Sequence, residues 1–232
     1  MNYIELNGVR STSITGLLIQ SLPSISKPLI RTVIEEIDGK DGDTITKLGY
    51  AAYDKEVTIG LYGKFDIDRI ISYFDSEGTV TFSNEPDKYY NYTIVNQIDF
   101  ERLIRFRTAS VTLHIQPFKY SLAEKARTYT PTGQSLSILN KGNTTARPKF
   151  TIYGSGTINL SLAGNQIFAI ALGDEGYITI DTAAMEAYKG NVLKNRLVTG
   201  DFDNFVFNSG WNTITWSGTI TSFEIENYSR WI

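Results

Sequence analysis

Cysteine is absent from the 232 residues, and histidine occurs once. Disulfides, thiolate metal sites and cysteine nucleophiles are therefore excluded. With one histidine and no thiol, a typical structural zinc site cannot be built. The lack of cysteine fits assembly in a reducing cytoplasm. Positive charge is not in surplus: 22 Lys and Arg stand against 25 Asp and Glu, for a net charge of −3. A nucleic-acid footprint needs a basic excess, so no specific nucleic-acid partner is expected. No apolar run reaches the roughly 18 residues of a membrane span. The opening Met1-Asn2-Tyr3-Ile4-Glu5-Leu6 lacks the basic start and apolar stretch of a signal peptide. A soluble chain, neither exported by that route nor inserted in a membrane, is the expectation. Walker, G-x-G-x-x-G and G-x-S-x-G signatures are missing too. Neither an enzyme nor a cofactor is expected.

What the chain does contain is aromatic residues and alternation. Tyr, Phe and Trp number 14, 12 and 3, a composition that favours strands. Val57, Ile59 and Leu61 fall on one strand face, as do Val80 and Phe82, and then Val111, Leu113 and Ile115. Tyr92, Ile94, Ile98 and Phe100 extend the pattern, with Asn96 out of phase. One helix is predicted. Asp66 caps it, Ile67, Ile70, Ile71 and Phe74 recur at helical spacing, and Gly78 ends the segment. The polar stretch from Phe118 to Gly133, with Lys119, Lys125 and Arg127, reads as a crossing segment. Domains are expected at 1–120 and 134–232, with a linker at 121–133. The net charge falls entirely in residues 1–120.

The second half reads as all-β. Phe150 and Ile152 lead into a turn at Gly154-Ser155-Gly156, and Ile158, Leu160 and Leu162 alternate after it. The run Gln166 to Leu172, then Gly173-Asp174-Glu175-Gly176, then Ile178 and Ile180, predicts a hairpin. Ile214 and Trp216, a Ser217-Gly218 turn, then Phe223 and Ile225, predict another. The fold class is mainly β with minor α: an N-terminal β-sandwich-like domain with one helix, and a C-terminal β-sandwich.

Candidate chemistry is sparse. His114 lies on the polar face of its strand, where a general base would need a positioned partner. Asp38-Gly39-Lys40-Asp41-Gly42-Asp43 offers calcium-like oxygens, but its spacing is not that of an EF-hand loop, and Asp-Gly pairs form solvated turns. No metal residue is assigned. Glu35-Glu36, Asp174-Glu175 and Asp201 with Asp203 supply acids of the kind a glycosidase pair needs. Neighbours on a strand point to opposite faces, which weakens Glu35-Glu36; turn and surface acids are the default, and no catalytic residue is assigned. Trp216 is in phase with Ile214 and is assigned to the core. Trp211 and Trp231 flank turns or the terminus and are the candidate sugar contacts.

Three segments carry a resemblance. The first is Leu48-Gly49-Tyr50 through Lys55, Ile67-Asp68-Arg69 and Phe82-Ser83-Asn84-Glu85-Pro86-Asp87-Lys88-Tyr89-Tyr90. The second is Phe100-Glu101-Arg102, Phe106-Arg107-Thr108-Ala109 and Gln116-Pro117-Phe118-Lys119-Tyr120. The third comprises Asn140-Lys141-Gly142-Asn143, Ala146-Arg147-Pro148, Ile180-Asp181, Gly200-Asp201-Phe202, Gly210-Trp211-Asn212-Thr213-Ile214 and Arg230-Trp231-Ile232. In this order they resemble the distal tail protein (Dit) family of long, flexible-tailed bacteriophages. The resemblance implies a ring-forming N-terminal domain, a galectin-like C-terminal sandwich, and a structural role at the virion's tail tip after assembly in the host cytoplasm. Implied partners are the chain itself as a homo-hexamer with stacking of rings, the tail tube protein, the tail-associated hub or lysin protein, and a receptor-binding protein. The Pro23–Pro28 segment and the Asp38–Asp43 tip are candidate contact loops, and an acidic first domain would line a DNA channel without gripping DNA. One departure is Phe202-Asp203, where the family often has Phe-Pro. Galectin sugar chemistry needs a histidine, and residues 121–232 contain none. A carbohydrate-binding adhesin is the alternative reading, and a glycan hydrolase a third.

Overall fold

A computed structural model describes residues 1–94, 97–124 and 127–232, with Gln166 described by its backbone only. Asn96 and Lys125, named above, lie outside the described residues. The chain divides into two compact units, Met1–Lys119 with Ile232, and Tyr120–Trp231. Among the described residues, no helix is long and apolar enough to cross a membrane.

The first unit contains β1 (Ile4–Leu6), β2 (Val9–Arg10), β3 (Leu17–Ser21), β4 (Ile30–Glu36), β5 (Asp43–Tyr50), β6 (Tyr53–Leu61), α1 (Ile67–Phe74), β7 (Glu77–Phe82), β8 (Lys88–Thr93), α2 (Phe100–Phe106) and β9 (Thr108–Ser121). Its main sheet runs in the order β2-β1-β7-β8-β9-β6-β3. Alternation sets the core as expected. Val57, Ile59, Val80, Phe82, Val111, Leu113 and Ile115 are all buried. Asp66 caps α1 by accepting from the Arg69 amide at 3.2 Å, and Ile70 and Phe74 pack inward.

Two expectations fail here. Phe100 does not extend a strand but opens a second helix, α2. Asp99 accepts the Arg102 amide at 2.8 Å, Leu103 buries one turn later, and Arg107 stops the helix in the left-handed conformation. Ile98 and Phe100 alternate like strand residues, but Asp99 between them is an N-cap and Phe100 and Leu103 recur at helical spacing behind it. Gly78 does not end α1; it lies inside β7. The Asn7 amide fills the space beside it, donating to Glu77 O at 2.9 Å and accepting from Thr79 N at 2.8 Å.

The second unit contains β10 (Arg127–Tyr129), β11 (Ser135–Asn140), β12 (Lys149–Leu162), β13 (Asn165–Gly173), β14 (Tyr177–Asp181), β15 (Glu186–Lys189), β16 (Val192–Leu193), β17 (Val198–Gly200), β18 (Gly210–Glu226) and β19 (Arg230–Trp231). Within the stretch 121–133, Arg127–Tyr129 pairs with the end of β18. Three expected turns are not reversals. β12 passes straight through Gly154-Ser155-Gly156, and β18 passes through Ser217-Gly218. β13 and β14 do not pair with each other. They lie end to end along one edge of β12, with Gly173–Gly176 as a bulge between them.

These three interruptions sit at one level of the sheet. Gly156 faces Gly173, Ser155 faces Thr219, and the pairing of β12 with β18 shifts register there. The backbones nearly touch: a Cβ on Gly154 would lie 2.1 Å from Thr219 O, and one on Gly218 would lie 2.3 Å from Thr157 O. The sheet is therefore creased, as bulges and glycines permit. The two leaves close on one core. Trp216 meets Phe223 across the crease at 5.1 Å, and Phe150 meets Phe168 at 6.4 Å. Burial of Trp216 in this core agrees with its phase.

Gly218→Ala is expected to destabilise the protein by about 2 kcal/mol or more, because φ is +95° and the carbonyl leaves no room. Gly133→Ala, with open space around it, should change stability little. Urea denaturation of the two variants makes the comparison.

Candidate assembly surface and the groove beside Trp211

Among the described residues, β4 and β5 form a two-stranded sheet that joins neither larger sheet. They pair antiparallel from Ile30↔Tyr50 to Glu36↔Asp43, with a bulge at Leu48. Ile34 and Ile45 are cross-strand partners and so share a face; Val33 lies on the other. These apolar residues are exposed, Ile34 and Ile45 at 58% each, with Leu29, Ile37 and Leu48 also open. An isolated hairpin is marginal in water, and its outer edges present unpaired backbone groups. This arrangement suits a β-hairpin that packs on another chain.

The root of the hairpin is held tightly. Lys55 lies on the inward face of β6, in phase with Val57 and Ile59, and is almost fully buried. Its ammonium donates to Ser24 O at 2.7 Å. It sits 5.4 Å from the Tyr90 ring centroid, 5.5 Å from Tyr53 and 5.8 Å from Phe82, a cation–π cage. Tyr53 Oη donates to Ser26 O and Asn84 Nδ2 to Pro23 O. The Pro23–Pro28 segment is thus strapped to the core just before β4. Beside the cage, Glu85 accepts from Lys119 Nζ at 2.8 Å and from Tyr90 Oη at 2.6 Å. Burial lowers the Lys55 ammonium below its ordinary value; nearby Glu85 opposes the shift and Lys119 adds to it. Burial, reinforced by the bond to Glu85, pushes the Tyr90 hydroxyl up. Sequence reading passed over this cluster. The signal was present: Lys55 and Lys119 each occupy an apolar phase of their strand.

The other candidates are dispersed. His114 Nδ1 lies 2.8 Å from Asp54 Oδ1 on an exposed sheet face. Asp38–Asp43 forms the open tip of the β4–β5 hairpin, and Glu35 and Glu36 are exposed on β4. Glu175 pairs with Lys194 at 2.7 Å and Lys189 at 3.2 Å. These amines hold its carboxyl below the usual carboxylate range, Lys194 foremost. Asp203 pairs with Arg147 at 3.1 Å. No group of three His, Cys, Asp or Glu that could hold a metal occurs among the described residues.

Trp211 and Trp231 are not brought together. Trp231 is half-buried in β19. Trp211 projects from β18, 72% exposed, into an open groove of about 750 Å³. The groove lies between the β12–β13 turn and the loop from Asp201 to Asn208. Side chains fix that loop. Asp201 Oδ1 accepts the amides of Asp203 at 2.9 Å and Asn204 at 3.2 Å. Buried Asn212 accepts the Asn208 amide at 2.9 Å and donates to Asn208 O at 2.8 Å.

No protein-family model and no curated protein matches this sequence. Solved structures do. The SPP1 Dit protein, described as a paradigm of the hub adsorption apparatus in phages infecting Gram-positive bacteria, aligns over 100% of both chains with a TM-score of 0.68 and 17% identity. A chain of the phage P2 baseplate in its activated conformation with calcium aligns over 98% of each chain, with a TM-score of 0.53 and 13% identity. The corresponding strontium form gives 97% of each chain, 0.50 and 13%. The chain thus has the fold of a Dit-like phage tail hub protein from end to end, mainly β with minor α.

Glu85→Gln, which leaves the buried Lys119 and Lys55 without a counter-charge, is expected to cost about 3 kcal/mol of stability. Adding Lys119→Met should restore most of it. A double-mutant cycle by chemical denaturation checks both; equal losses in the single and double variants would contradict the assignment.

Proposed function

We propose that this protein is a structural distal tail protein of a phage or prophage. Six copies close into a hub ring that joins the tail tube to the tail-associated hub or lysin protein and supports host adsorption. The carrying observation is the β4–β5 hairpin. The segment leading into it is bonded to Lys55, Tyr53 and Asn84, yet several of its apolar side chains lie open. Full-length likeness to the SPP1 Dit protein supports the same reading, and the ring number comes from the resemblance to that family. A closed ring needs a heterologous contact repeated after a fixed rotation, and a projecting hairpin seated on the next copy supplies one. With near-neutral charge, apolar burial and backbone pairing carry the contact, and Glu35, Glu36, Asp43 and Lys47 at its margins set register. The work of such a protein is geometric, with no reaction chemistry, and it takes place at the tail tip of the virion.

Solution mass measurement is expected to return six times the chain mass, or a multiple of it where rings stack. Ile34→Asp combined with Ile45→Asp should leave the β-type circular dichroism intact and reduce the mass to one chain. A wild-type protein that stays a single chain at high concentration, or a double variant that assembles unchanged, contradicts the proposal.

A further inference from the structure

The groove beside Trp211 has no part in ring closure as described above, and its chemistry points to a ligand. Residues of β18 alternate, so Asn212, Ile214 and Trp216 face the core while Trp211 and Thr213 face out. Trp211 presents a broad aromatic face, 72% exposed, to this groove, a flat plate on which the apolar face of a ring can stack. Half-buried Ile167 and Val206 line the groove and continue the apolar surface. Planar polar groups rim it: Asn165 at the start of β13, and Asn204 and Asn208 on the opposite loop. The Asn165 and Asn208 side-chain amides make no hydrogen bond among the described residues, whereas buried Asn212 is engaged by the Asn208 backbone and by Gly210 O. Donors and acceptors are therefore left over on walls that are themselves fixed.

Charge narrows the ligand. No lysine or arginine lines the groove among the described residues, and the one ionised group there is Asp201. Phosphate-rich, carboxylated or sulfated ligands would meet that carboxylate with nothing to neutralise them. A neutral ring with apolar C–H faces and equatorial hydroxyls matches a flat aromatic plate flanked by amides. The volume of about 750 Å³ lies within the roughly 300–1,000 Å³ typical of small-ligand sites. We propose that this groove is a binding site for neutral saccharide, with the sugar ring stacked on Trp211 and its hydroxyls bonded by Asn165 and Asn208. The site lies wholly within the second unit, and the proposal does not depend on the ring.

The test is a ¹H–¹⁵N correlation titration of the intact protein with four neutral probes, methyl galactoside, methyl glucoside, N-acetylglucosamine and rhamnose, and with glucuronate and glucose 6-phosphate as anionic counterparts. At least one neutral probe is expected to shift the Trp211 indole and the Asn165 and Asn208 side-chain amides, with a dissociation constant on the order of millimolar. Trp211→Ala should weaken it about ten-fold or more, Trp211→Tyr should retain most of it, and Tyr62→Ala, an exposed aromatic in the other unit, should change nothing. Trp211 is so exposed that its loss leaves the core intact, and the unchanged spectrum of the buried residues verifies this. Absence of any shift by all four neutral probes, stronger binding of the anionic ones, or binding that survives Trp211→Ala overturns the proposal. Ring assembly measured in the same samples is unaffected either way.

Discussion

A strand edge or apolar face left in water must be covered, and this single constraint organises both halves of the molecule. In the second unit it is met mostly internally, with Val192, Leu193 and Trp211 staying exposed. One nine-stranded sheet creases where Gly154, Gly156, Gly173 and Gly218 align, and its two leaves close on a shared aromatic core. In the first unit the main sheet is covered by its own cluster of buried side chains. The β4–β5 hairpin gathers exposed apolar residues in one place: Val33, Ile34, Ile37, Ile45 and Leu48. Among the described residues nothing in its own unit's main sheet pairs with it, and its isoleucines remain exposed. The coverage that the chain does not provide is, on this account, provided by a neighbouring copy.

The hairpin's use depends on its aim. A projecting ribbon on a loose hinge would close rings of varied size or none. The Lys55 ammonium inside three aromatic rings, bonded to Ser24 O, fixes the approach to β4. Glu85, held by Lys119 and Tyr90, supplies the local counter-charge. Such buried charge is weak as a source of stability and better suited to specifying one geometry, which is what a ring with a set rotation requires.

Much of this was legible in the chain. Period-two alternation located β6, β7 and β9 and put Trp216 inside, whereas Trp211, expected beside a turn, lies within the same long strand on its opposite face. Asp66 marks α1 in the sequence; Asp99 marks α2 in the same way, but the alternation of Ile98 with Phe100 imitates a strand just there. The segments Gly154-Ser155-Gly156 and Ser217-Gly218 look like reversals for a physical reason. Whether Gly-Ser-Gly reverses a strand or bends it depends on whether the neighbouring strands bulge at the same level, and that register is non-local. The Lys55 cage was visible in principle as lysines at core phases. The Trp211 groove was not, because Asn165 and Asn208 lie far apart along the chain and meet only through the pairing of β12 with β13 and β18.

An electron cryo-microscopy reconstruction of the purified full-length protein tests the central claim most directly. The account predicts a closed annulus in which β4–β5 of each copy is seated against the next, with Ile34 and Ile45 buried in the contact. Free single chains, or a ring in which that hairpin projects into solvent while other surfaces make the contacts, would contradict it.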